Sequence, residues 1–206
     1  MTPSFNFANT FSFSEVHKER VGQLINYLAL KVGNLYCTKL IKLLYIIDEE
    51  SIHSSGTPLS WLTYKVYQMG PVPEQLWYSI KDGNSIFDDY FDVNEEKGGY
   101  NEKGGIQYRI TAISKEEMSE FSRREVKIID SVISVFGGKT PDQLIEYLHR
   151  EESLWYKMVS ENEISFEKSL ATPHIIDLSQ LISNDKFKLD IYHDAAEEIN
   201  LLETLS

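Results

Sequence analysis

The sequence predicts a mainly α (α+β) fold, a compact helical domain with a small β-hairpin or short sheet. Three observations carry that reading. Leu40, Leu43, Leu44 and Ile47 recur at three- and four-residue spacing, which makes one apolar helical stripe. Ser114-Lys115-Glu116-Glu117 and Thr140-Pro141-Asp142-Gln143 both match the capping box that opens a helix. Between 84 and 113, two runs rich in apolar residues flank a stretch with two glycine pairs, the pattern of a β-hairpin with a long tip.

In chain order, Phe5, Phe7, Phe11 and Phe13 alternate with small polar residues over an N-terminal arm, 1–13. The alternation suits a strand laid on a surface or a tail, and periodicity alone leaves both open. Val16, Leu24, Ile25, Leu28 and Val32 predict a helix over 14–32. A second helix is predicted over 38–53, with Thr38 as its N-cap and Gly56 as its stop. An extended aromatic segment follows over 59–69 and ends in the corner Gly70-Pro71-Val72-Pro73. Pro73 suits the first position of a short helix through Lys81, closed by Asp82-Gly83. The two capping boxes place helices over 114–136 and 140–150, and Leu154, Trp155, Tyr156 and Met158 predict a short helical turn. A polar connection over 160–173 then leads to two amphipathic helices, near 174–183 and 190–204.

With 206 residues, 10 Phe and 12 Tyr, the chain can bury a core of ordinary size. No run approaches the roughly 18 apolar residues that span a bilayer. Without a basic, apolar leader and with one cysteine, Cys37, the chain is expected to be cytoplasmic and soluble. The net charge of −12 is unevenly spread: 1–83 holds seven basic and seven acidic residues, and 84–206 holds 13 basic against 25 acidic. Phosphate backbones are gripped by clustered positive charge, so nucleic acid is not the expected ligand. A basic protein partner would be steered toward the later part.

The residues offer little for catalysis. Asp48, Glu49, Glu50 and His53, with His149, Glu151 and Glu152, include carboxylates and imidazoles of the kinds that bind zinc, but a solvated acidic helix end explains them more simply. Cys37 precedes a helix start that could lower a thiol pKa, yet a buried structural cysteine fits better. No nucleophile elbow or phosphate-cradling glycine loop is present. No catalytic residue, metal or cofactor is expected, and the chain is expected not to be an enzyme.

The aromatic residues around the corner read differently. Tyr64, Tyr67, Met69, Gly70, Pro71, Pro73 and Trp77 form a stiff segment, since each proline fixes its own φ and restricts its predecessor. Stiffness lowers the ordering cost of binding, so these seven are the candidate partner-binding residues. The same rings could instead pack beneath the 38–53 helix as core.

Three motifs resemble the Panacea domain, the SocA-like antitoxin family. They are Lys39-Leu40-x-Lys42-Leu43-Leu44-Tyr45-x-x-Asp48; Gly56-x-Pro58-Leu59 with Tyr64 and Gly70-Pro71-Val72-Pro73; and Phe136-Gly137 with Leu144, His149-x-Glu151-Glu152 and Trp155. The resemblance covers about 20–160 and implies an antitoxin domain over 14–170, with a helical extension over 171–206 packed on it. Lys39, Leu43, Tyr45, Asp48, His149, Glu152 and Trp155 are its motif positions, expected to be structural. The resemblance implies an antitoxin of a type II toxin–antitoxin system that neutralises a cognate protein toxin by direct binding. The alternatives are a proteolytic adaptor that delivers a toxin to a AAA+ protease, and a phage-associated regulatory protein. Some members carry a DNA-binding helix-turn-helix; this chain shows no basic recognition-helix module.

Overall fold

Thirteen of the nineteen residues of one helix, Cys37–Ser55, are buried, and the other elements are arranged around it. The computed structural model describes residues 15–83, 86–97, 105–115 and 117–205. The phenylalanine-rich arm lies outside them, as does the glycine-rich hairpin tip at 98–104. The first helix, α1, spans Glu15–Lys31 and the buried one is α2. Strands β1 (Lys65–Tyr67) and β2 (Gly70–Val72) follow, then α3 (Glu74–Lys81) and the hairpin β3 (Phe91–Lys97) and β4 (Ile106–Ala112). Next come α4 (Arg123–Phe136), α5 (Pro141–Leu148) and α6 (Leu154–Glu161). The chain ends with β5 (Ala171–Ile175), a 3-10 turn (Leu178–Ile182) and α7 (Lys186–Leu205). Among the described residues, seven α-helices with two small antiparallel sheets make the mainly α fold that the sequence predicts.

The predicted stripe of α2 is fully buried at Leu40, Leu43, Leu44 and Ile47. Each such side chain contributes about 1.5–3 kcal/mol of transfer free energy relative to exposure. Gly56 ends the helix as expected, at φ +90 with its N–H on the Ile52 carbonyl. Thr38 does not cap it. The helix begins at Cys37 behind Tyr36, because the backbone there is held by β4: Ile110 N donates to Leu35 O at 2.8 Å, and Tyr36 bridges to Arg109.

The extended segment is shorter than predicted. Only Lys65–Tyr67 is a strand, since the Leu59 and Ser60 amides turn onto the Asp48 carboxylate and Trp61 takes a left-handed φ of +52. Pro73 sits at the N-cap of α3, one position before the place predicted. The hairpin forms, with β3 and β4 paired from Phe91↔Ala112 to Lys97↔Ile106.

Two expectations are overturned by local chemistry. Helix α4 opens at Arg123, well after Ser114, because the working capping box is Ser122 with Glu125. The predicted helix near 174–183 is instead a strand and a 3-10 turn. Residues 171–175 pair antiparallel with β1, giving the order β2-β1-β5. The segment after residue 170 thus enters the sheet before it becomes helical. The box at Thr140 works as predicted, with Pro141 in the first turn of α5. Among the described residues, no helix is long and apolar enough to cross a membrane.

Candidate functional site

Four side chains of α2 bring the three sequence motifs together. Tyr45 lies three residues from Lys42 and three and four from Asp48 and Glu49 along the helix, and all four are buried. Tyr45 and Asp48 meet the segment before β1, Lys42 meets β2 and Glu49 meets the end of α5.

Asp48 holds the segment before β1. Its Oδ1 accepts from the amides of Leu59 (2.8 Å) and Ser60 (2.7 Å), and its Oδ2 accepts from Tyr64 Oη (2.7 Å) and from the Ser60 hydroxyl. Burial raises the carboxyl pKa, and these four donors oppose that rise. Tyr64 is itself packed edge-on against Tyr45, with ring centroids 5.1 Å apart.

Lys42 holds β2. Its Nζ donates to the Pro71 carbonyl at 2.9 Å, on the outer edge of a strand whose proline has no amide to offer. Desolvation pulls the ammonium down to about 7, so loss of its proton is accessible near neutrality. Gly70 lies against this lysine at φ +96, and a Cβ there would stand 3.3 Å from Lys42 Nζ and 3.8 Å from His149 Nε2. The dihedral favours glycine, and a Cβ would press on the end of the Lys42 side chain.

Glu49 holds the end of α5, pairing at 2.8 Å with Arg150, whose guanidinium lies 4.0 Å over the Tyr147 ring. Burial raises the Glu49 pKa and Arg150 lowers it. His149, next to Arg150, stacks flat on Trp155 at 3.7 Å with 6° between the rings. Burial lowers its pKa, as does the charge of Lys42. Trp155 then reaches the sheet, its Nε1 donating to the Tyr67 carbonyl at 2.8 Å.

These contacts converge on one tight turn, Tyr67-Gln68-Met69-Gly70, between β1 and β2. Trp155 holds Tyr67, the Leu170 carbonyl accepts from Gln68 N at 2.8 Å, and Lys42 holds the strand beyond Gly70. Tyr67 Oη also donates to Glu74 Oε1 at 2.7 Å, while Lys65 pairs with the other oxygen. A rigid backbone therefore presents Met69, 50% exposed, beside Leu170, 62% exposed.

The geometry narrows the candidate binding residues. Tyr64, Gly70, Pro71 and Pro73 are buried, so they cannot touch a partner and act as support. The reason is that α2 lies directly beneath the corner and takes its inner side into the core. Met69 is exposed, and Tyr67 and Trp77 are half-buried. Leu170 was missed because its position beside Met69 comes from the pairing of β5 with β1, which no local pattern shows.

The motif residues divide similarly. Lys39 donates to Gly137 O at 2.5 Å and closes the end of α4, Leu43 is core, and Glu152 is exposed. Sequence reasoning missed Arg150, although it adjoins His149. Cys37 is buried and its thiol pKa is pushed up to about 12 by desolvation, the reverse of activation. Among the described residues, no three His, Cys, Asp or Glu side chains are grouped to hold a metal ion.

No curated protein and no solved structure shows a significant match to the chain. A family model, described as the SocA-like antitoxin Panacea domain, matches residues 40–156, more than half of the sequence. The match begins in α2 and ends in α6, so it encloses Asp48, Glu49, the β1–β2 turn and the His149–Trp155 stack. With the motifs joined in one interlocked polar core, the chain belongs to the SocA-like antitoxin, Panacea-domain family.

Proposed function

We propose that this protein is the antitoxin of a type II toxin–antitoxin pair, which neutralises a cognate protein toxin by direct contact in the cytoplasm. It works by binding and performs no turnover. The observation that carries the reading is the β1–β2 turn: Met69 stands exposed on a backbone held by Trp155, Leu170 and Lys42. A held turn loses little freedom when a partner docks, so apolar burial there converts efficiently into affinity. Membership of an antitoxin-like family supports the class of partner. The net charge of −12 favours a basic partner and disfavours nucleic acid.

The test is expression of the adjacent gene's product alone and together with this chain. The reading expects growth arrest in the first case, rescue in the second, and co-purification of the two proteins. Arrest that persists while both proteins accumulate folded and separate would contradict it.

A further inference from the structure

The outer edges of the two small sheets are not equivalent. In the sheet β2-β1-β5, each outer strand carries a proline, Pro71 or Pro173, which has no amide to donate. Lys42 Nζ also covers the Pro71 carbonyl. In the hairpin, β4 gives its outer side to the residues before α2, since Ile110 N donates to Leu35 O at 2.8 Å and Tyr36 bridges to Arg109. That leaves the outer edge of β3, Phe91–Lys97.

The register decides which groups of β3 point outward. Antiparallel pairs alternate between those that exchange hydrogen bonds and those that do not. Ile110 donates away from β3, so Val93↔Ile110 is a pair of the second kind. Phe91 agrees, because its N–H turns back to Phe87 O at 3.2 Å. Asp92, Asn94 and Glu96 therefore bond to β4, while the N–H and C=O groups of Val93 and Glu95 face away from it. Among the described residues, these outward groups have no hydrogen-bond partner. The pairing from Phe91 to Lys97 is continuous and contains no proline.

Charge selects what such an edge accepts. Glu96 pairs with Arg109 at 3.3 Å, which leaves Asp88, Asp89, Asp92 and Glu95 exposed against Lys97. A second copy is a poor match: aligning the whole strand antiparallel with itself sets Asp92 of one copy opposite Glu96 of the other. Each copy also carries a net charge of −12. A strand with lysine or arginine at alternate positions instead brings its cations to the face of Asp92 and Glu96, and its other side chains beside the half-buried Val93.

We infer that the free edge of β3 is a docking site for an extended basic segment of a protein partner, which adds to the hairpin as its third strand. Backbone hydrogen bonds supply the attachment, and the acidic side chains set the charge that is accepted. The inference stands apart from the antitoxin reading, because it uses the hairpin and not the β1–β2 turn.

Amide exchange of the full chain, read by NMR with and without a peptide of alternating lysine and valine, tests it. Val93 and Glu95 are expected to exchange fast in the free protein and at least tenfold slower with the peptide. Asp92 and Asn94 should be slow in both. The same peptide N-methylated at alternate residues keeps its charge and should give no protection. Glu95→Pro removes one outward amide and leaves the β3–β4 bonds in place, so it should weaken peptide binding more than Glu95→Gln does. Unchanged exchange with the basic peptide would overturn the inference, as would equal protection by a peptide of alternating glutamate and valine. Slow exchange of Val93 and Glu95 in the free monomer would overturn it too, because another segment of this chain would then occupy the edge. Protection that grows with protein concentration alone would assign the edge to a second copy and refute it.

Discussion

Helices α2 and α7 have nearly the same length and opposite relations to the rest of the molecule. Of the nineteen residues in α2, thirteen are buried, three of them the charged Lys42, Asp48 and Glu49. Helix α7 spans twenty residues, and among those whose burial is described it has no buried side chain. A buried charge is costly unless it is paired, so each charge on α2 dictates which segment lies against it. Asp48 selects the 59–64 segment, Lys42 selects β2 and Glu49 selects the end of α5. Helix α7 makes no such demand.

The comparison breaks most sharply at Asp48. In Asp48→Ala the amides of Leu59 and Ser60 and the hydroxyls of Ser60 and Tyr64 lose their shared acceptor. Stability measured by urea unfolding should fall by about 3–5 kcal/mol, as expected when one partner of a buried charged network is removed. Glu198→Ala, on the exposed side of α7, should shift it by less than about 0.5 kcal/mol. Similar effects at both sites would erase the distinction between the helices.

A second test uses protons. Lys42 has a folded pKa of about 7 against its usual 10.5, so between these values the unfolded chain holds the proton more firmly. Stability should therefore rise with pH through this interval, by at most about 1.4 kcal/mol per unit. Cys37 acts oppositely above 9.0, because its folded thiol keeps its proton up to about 12. Between pH 7 and 9 Lys39, whose ammonium is also lowered by desolvation, acts in the same direction, so the part due to Lys42 is the difference between wild type and Lys42→Met. The rise should be clearly smaller in Lys42→Met; equal slopes would show that Lys42 titrates normally.

Smaller still is the effect expected at Gly70. Gly70→Ala forces an L side chain to φ +96 against Lys42 Nζ. A loss of about 1.5 kcal/mol follows from the backbone strain, measurable as a lower urea midpoint. Gly83→Ala also has a positive φ but open space around it, so it separates strain from contact.

Helix α2, the stop at Gly56, the box at Thr140 and the hairpin were legible because each is written in adjacent residues. Ser114 misled because it shares the pattern of Ser122 and Glu125, and only packing distinguishes two identical local signals. Strand β5 contains Pro173 and little alternation, and its strand character comes from pairing with β1. The candidate site was legible as a motif at Gly70-Pro71-Val72-Pro73, while its inside and outside were not. Lysine usually lies on the surface, so nothing local marks Lys42 as the buried support of Pro71.

The most direct test of the central claim separates the turn's tip from its support. Met69→Asp should keep its unfolding free energy within about 1 kcal/mol of the wild type, as a surface change does. It should also lose co-purification with the adjacent gene's product and rescue from it. A folded Met69→Asp chain that still binds and rescues fully would contradict the account.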